Sequence, residues 1–219
     1  MLFRDQQHLL RGRWHLDRQN AFLASDYGVD GTLEIARLTG LPVQTVNRVS
    51  TGTGISAMQT ATALRRGVLV PWQKRKPEDL KTVIDLLNSD KGGLVYTPIL
   101  GLHEHVAELD FSAMYPSIMV RFNISPETVC APDGELVPEL GTRIRRDRQG
   151  LIPETLEPLL KKRSRYKQLI RELSPDDPRC EVYRRRYSAH NLFFFQSCFP
   201  FNSKNARFGR IEAHEAVNA

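Results

Sequence analysis

Residues 108–129, ELDFSAMYPSIMVRFNISPETV, constrain this chain more than any other stretch. One carboxylate, Asp110, stands at the end of a strand-like run (103–111), and the chain then passes through Tyr115 and Pro116 into a second apolar segment. Proline suits the first turn of a helix because its φ is already fixed and its missing N–H is not needed there. The pattern predicts strand, tight turn and helix, with Asp110 at the strand's C-terminal end and Tyr115 at the bend. Side chains at such ends face ligands, since a rigid element stops and the backbone opens. A carboxylate there can hold a divalent cation, which takes oxygen ligands and bridges to substrate phosphates. Spacing alone leaves a second reading open, in which Asp110 caps the turn and Tyr115 is a core aromatic.

Around this stretch, proline and glycine divide the chain. The segment 33–66 reads as mostly helical with a turn at Gly40, 79–88 as a short helix, 93–112 as containing strands, and 155–173 as a helix following Pro153. Strands among helices imply an α+β or α/β architecture. The 219 residues suffice to bury a sizeable core. No apolar run reaches 18 residues and no N-terminal signal pattern is present, so the expectation is a soluble cytoplasmic protein without membrane partners. Three widely spaced cysteines, Cys130, Cys180 and Cys198, offer neither a disulfide framework nor a zinc knuckle.

The net charge of +6 is unevenly placed. Residues 143–187 carry fourteen Lys and Arg against seven Asp and Glu, while the remainder is close to neutral. Such clustering fits a phosphate- or nucleic-acid-binding surface, or a solvated helix face. One alternative for DNA binding lies upstream. Residues Ile35 to Gly52, IARLTGLPVQTVNRVSTG, resemble the helix-turn-helix of LacI-type repressors, with Gly40 at the turn and Thr45, Val46, Asn47 and Arg48 in the second helix. The motif starts some thirty residues in, and the chain after it is unlike a repressor effector domain.

The segment DFSAMYPSI resembles motif A of family B DNA polymerases, D-x-x-S-L-Y-P-S-I, and its flanks, from GGLVYTPILG to NISPETV, are similar to the palm entry of the archaeal type and its bacterial relatives. The resemblance implies that Asp110 is one of two metal-binding aspartates and that the Phe111 carbonyl also faces the metal. It implies further that Phe111, Ser112, Ala113, Met114 and Tyr115 surround the deoxynucleotide, with Tyr115 as the steric gate under the sugar. Ala113 stands where serine is usual. GLIPETLEPLLKKRSRYKQLIREL is similar to the first fingers helix. Its apolar stripe, Leu156, Leu159, Leu160, Tyr166, Ile170 and Leu173, carries Arg163 and Lys167 one turn apart, a spacing that suits a triphosphate. IARLTGLPVQTVNRVSTG also fits the exonuclease-to-palm connector, which places Asp17 near the third exonuclease carboxylate, although Arg13 stands where tyrosine is usual.

The resemblance implies a piece of a DNA-directed DNA polymerase. Residues 1–66 would be the end of the 3′–5′ exonuclease-like domain and its connector, 67–150 the first part of the palm with motif A, and 151–219 the helical fingers hairpin. Its partners would be primer-template DNA and deoxynucleoside triphosphates, with two Mg²⁺ ions in the complete enzyme. KNARFGRIEAHEAVNA resembles the segment after motif B, but the motif B core at 191–203 reads NLFFFQSCFPFNS, with Asn191 in place of the triphosphate-binding lysine and Pro200 as a helix breaker. Motif C and the thumb are expected after Ala219 or on a second polypeptide. The chain alone is therefore expected to be inactive, and a non-catalytic nucleic-acid-binding remnant is the alternative.

Overall fold

The structure is a computed structural model that describes residues 12–16, 24–72, 80–89, 95–138, 141–197 and 206–218. Three elements open it: α1 (Ala24–Thr39), α2 (Val43–Val46) and α3 (Thr51–Arg65). Gly40 ends the first of them with φ 70°, its N–H returning to the Ala36 carbonyl at 2.9 Å, a left-handed closure that glycine adopts without strain. Then come α4 (Val83–Ser89), α5 (Met114–Arg121), the hairpin strands β1 (Glu135–Val137) and β2 (Thr142–Ile144), the long helices α6 (Leu151–Glu172) and α7 (Pro178–Ser197), and α8 (Ile211–Asn218). The fold is mixed but helix-rich, with β1 and β2 antiparallel in register Glu135 to Ile144.

The apolar stripe of α6 behaves as its spacing predicts at the N-terminal end. Leu151, Ile152, Leu156, Leu159 and Tyr166 are buried, while Ile170 and Leu173 are half-buried where the helix leaves the body. The helix begins at Leu151, four residues before the expected start, because side chains cap its free N–H groups. Asn123 Oδ1 accepts from Gly150 N–H at 2.7 Å, Glu127 Oε1 from Leu151 N–H, and Ser125 Oγ from Ile152 N–H at 3.2 Å. Gly150 is required by close approach: a Cβ there would lie 2.5 Å from that of Ser125. Helix α7 opens on Asp177, whose Oδ1 accepts from Arg179 N–H at 2.8 Å, with Pro178 in the first turn.

One core draws on all three parts of the chain: Ala63 of α3, Met119 of α5, Ile144 of β2, Ile152, Leu156 and Leu159 of α6, Phe194 of α7, and Ala213 and Val217 of α8. A second cluster, Tyr27, Ile35, Val46, Ile55 and Ala189, packs α1 to α3 against α7. Burying each such large side chain stabilises by about 1.5–3 kcal/mol.

Two expectations change. The strand ending at Asp110 does not form: residues 95–112 carry no regular pairing, and Leu102, Leu109 and Phe111 are 91%, 94% and 77% exposed. A strand is held by its neighbours' backbone groups, and no described strand pairs with this run. The repressor-like recognition helix is likewise missing. The element after Gly40 is a single turn, its Val46 and Asn47 are buried, and the Arg48 guanidinium is spent on the Gln44 carbonyl at 2.8 Å and on His15. Of the four residues expected to read a groove, only Thr45 is exposed. Among the described residues no helix is long and apolar enough to cross a membrane.

Candidate functional site

The turn from Asp110 into α5 is built around Ala113. It adopts the left-handed region (φ 49°, ψ 52°) at the N-cap position, and its carbonyl accepts from Ser117 N–H at 3.0 Å. Alanine has no oxygen with which to cap the helix, and the left-handed conformation costs it roughly 1–2 kcal/mol. Pro116 falls in the first turn as expected and is buried. Tyr115, half-buried, packs against the main core, whereas Met114 is 41% exposed.

Arg163 brings the candidate residues together. Its Nη1 donates to Ser112 Oγ at 2.9 Å, its Nε to Asn191 Oδ1 at 2.7 Å, and its Nη2 to Tyr187 Oη at 2.9 Å. The guanidinium also lies 4.9 Å from the centroid of the Tyr187 ring and 5.8 Å from that of Phe194. A single planar cation thus joins the motif A turn to both long helices, a use that suits the fixed fork of arginine. Lys167, one turn further along α6, is half-buried and makes no hydrogen bond or ion pair with any described residue.

Asp110 and Phe111 do not join this cluster. Both are exposed, and among the described residues no group of three or more His, Cys, Asp or Glu could hold a metal ion. A cation needs several oxygen ligands, so the donors present do not fit a resident ion. Asp17, the expected exonuclease carboxylate, lies outside the described residues, as do 198–203 of the motif B core; residues 191–197 continue α7.

Sequence reasoning missed the groups behind Arg163. Glu34 of α1 is fully buried, and its Oε1 lies 2.6 Å from Lys162 Nζ and 3.2 Å from His190 Nε2. Burial works against its charged form, but hydrogen bonds from His190, Lys162 and Tyr166, with the Lys162 charge, outweigh it and hold the carboxyl down at about 2. Burial and the Glu34 charge in turn raise the Tyr166 phenol. A helical reading of α1 contains the missing signal, because Tyr27, Gly31, Glu34 and Leu38 share one face and Glu34 is the charged member.

A basic surface forms elsewhere. A cavity of about 450 Å³ is lined by Arg66, Arg145, Arg148 and Arg207, with Leu69 and Phe208 on its apolar side. Arg66 is paired with Glu154, and Arg145 with Asp133 at 2.7 Å, which raises the arginine's pKa and lowers the aspartate's. Arg148 and Arg207 are exposed and have no ion-pair partner among the described residues.

Comparison with known proteins bears on this arrangement. The profile of DNA polymerase family B matches residues 50–189. The chain belongs to DNA polymerase family B. This family B chain is 29% identical over 194 residues to DNA polymerase 2 of Saccharolobus solfataricus, covering 88% of itself and 28% of that protein. It is 34% identical over 161 residues to the DNA polymerase of Archaeoglobus fulgidus, covering 73% of itself and 19% of that protein. The family B DNA polymerase structure from Pyrobaculum calidifontis superposes with a TM-score of 0.66 at 27% identity, across 89% of this chain and 25% of that one. The family B chain thus spans about a quarter of the length of these relatives.

Proposed function

We propose that this chain forms the nucleotide-gripping part of a DNA-directed DNA polymerase, which transfers a deoxynucleotide to a primer 3′-OH on a template. Residues 67–150 act as the entry to the palm, and α6 with α7 forms the fingers hairpin; residues 1–66 connect to an exonuclease-like domain. Arg163 and Lys167 take the triphosphate, Ser112 and Tyr115 flank the sugar, and Asn191 and Tyr187 hold Arg163. The observation that carries this reading is the triple contact of Arg163 with Ser112, Asn191 and Tyr187. It sets one cation beside the motif A turn, where a triphosphate can displace neutral partners for a charge-assisted contact.

Asp110 would be one carboxylate toward the two Mg²⁺ ions that the resemblance implies, and the described residues do not by themselves complete a site for them. Primer-template DNA is the macromolecular partner, a second polypeptide carrying further carboxylates is a candidate partner, and the cytoplasm is the proposed location. The second reading, a non-catalytic nucleic-acid-binding piece, is favoured by the cavity with its exposed Arg148 and Arg207, which have no ion-pair partner among the described residues. Calorimetric titration with deoxyadenosine triphosphate decides between them. The nucleotide-gripping reading expects binding that Arg163→Ala weakens at least tenfold, and no heat at millimolar nucleotide would overturn it.

A further inference from the structure

Glu34 occupies a place in the fold that the family reading does not use. It stands on α1, yet its Oε1 accepts from Lys162, the neighbour of Arg163 on α6, and from His190, the neighbour of Asn191 on α7. An ionised carboxylate can only accept, so His190 Nε2 carries the proton. Tyr166, one turn beyond Lys162, adds its hydroxyl and packs edge-on against the His190 ring at 5.5 Å. Arg37 lies 3.6 Å from Oε2. One oxygen therefore meets two helices at the level where Arg163 and Asn191 meet each other.

We propose that Glu34 is a positioning residue for the fingers site: it fixes the axial register of α6 against α7 so that Arg163 Nε–H reaches Asn191. Sealing a carboxylate in a packed interior is costly, and apolar packing would hold three helices together more cheaply. What a carboxylate adds is directional. It holds Lys162 by an ion pair and His190 by a hydrogen bond to the same oxygen, whereas a leucine would let the helices slide along their packing ridges. A slide of one residue along a helix is about 1.5 Å, enough to break a 2.7 Å hydrogen bond. The triphosphate role of Arg163 is taken from the proposed function; the register itself is not.

The experiment uses the full 219-residue chain, isotopically labelled, and reads the Arg163 Nε–Hε resonance by NMR, assigned through its loss in Arg163→Lys. Glu34→Leu is expected to stay folded by circular dichroism while that resonance shifts and exchanges at least tenfold faster. Glu34→Gln, which keeps an acceptor without the charge, is expected to fall between. Should Glu34→Leu fail to fold, Lys162→Met and His190→Phe each remove one arm and are expected to move the same resonance. An unchanged resonance in folded variants overturns the proposal. Deoxyadenosine triphosphate is titrated in parallel. If the wild-type chain ignores it while the resonance responds to Glu34→Leu, the triphosphate reading fails and the positioning role stands. If nucleotide binds and the resonance does not respond, the positioning role falls alone.

Discussion

Asn191 Oδ1 accepts the Arg163 Nε–H at 2.7 Å, so the residue that stands where the resemblance implies a lysine holds the arginine proposed to grip the triphosphate. A lysine at 191 would put a second cation beside the guanidinium. Unliganded, that costs a contact and adds repulsion, worth about 1 kcal/mol at an exposed position. With a triphosphate between them, both cations are used. Asn191→Lys is expected to lower the melting temperature slightly and to tighten deoxynucleoside triphosphate binding severalfold. Calorimetry reads both, and weaker nucleotide binding would show that Asn191 itself contacts the ligand.

The Glu34 carboxyl, held at about 2 in the folded chain against 4.5 when free, ties stability to pH. Because the folded value is depressed, its contribution is complete above about pH 4.5 and is lost as pH falls from there toward 2. The loss is on the order of 3 kcal/mol. Urea unfolding at pH 7, 4 and 3 measures it. Exposed Asp133 and half-buried Asp177, also depressed, add a shallow background that Glu34→Gln leaves in place while removing the steep part.

Asn123 combines a left-handed backbone (φ 55°) with three hydrogen bonds: its Nδ2 donates to the Arg145 and Arg148 carbonyls, both at 2.8 Å, and its Oδ1 caps Gly150. Asn123→Ala is expected to cost about 2–3 kcal/mol, from the lost cap and the strained φ together. Asn123→Gly loses the same bonds without the strain, and its cost should be about 1 kcal/mol lower. Equal costs in chemical denaturation would show that the backbone there is unstrained.

The exposed arginines at the cavity, Arg148 and Arg207, predict how DNA binding responds to salt. The chain should bind unrelated duplexes with similar affinity, because phosphate contacts carry no sequence information. Its log K should fall linearly with log salt. Arg148→Ala with Arg207→Ala is expected to reduce that slope by about 1.8 on duplex DNA, 0.9 for each lost phosphate contact. Fluorescence anisotropy at several salt concentrations measures it. An unchanged slope places the DNA on another face.

How much of this was legible in the sequence follows from where each signal resides. The α6 stripe and the Pro116 helix start are local, set by 3.6-residue spacing and by one fixed φ, and both were readable. The run 95–111 has strand-like residues, but a strand exists only beside another, and the sequence of one run does not name its neighbour. The β1–β2 hairpin escaped because three-residue strands leave almost no alternation to read. Arg163 was legible as a cation on an apolar face; its partner Tyr187 was not, since 24 residues and a reversal of direction separate them. Glu34 was overlooked although a carboxylate in the Tyr27–Leu38 stripe is a readable anomaly.

The last prediction concerns catalysis by the chain itself. Transfer to a primer 3′-OH needs cations held between carboxylates, and the described residues offer Asp110 without a cluster around it. Arg163 and Lys167 can bind phosphates, but binding substrate does not supply the charge stabilisation that the transition state requires. The purified 219-residue chain, given primer-template, Mg²⁺ and all four deoxynucleotides, is therefore expected to bind nucleotide and leave the primer unextended. Asn191→Lys should not change this, because a tighter grip on the triphosphate leaves the 3′-OH no more acidic. A primer-extension gel checks it. Template-dependent product abolished by Asp110→Ala would mean that this chain assembles a complete cation site, with carboxylates drawn from residues other than those described.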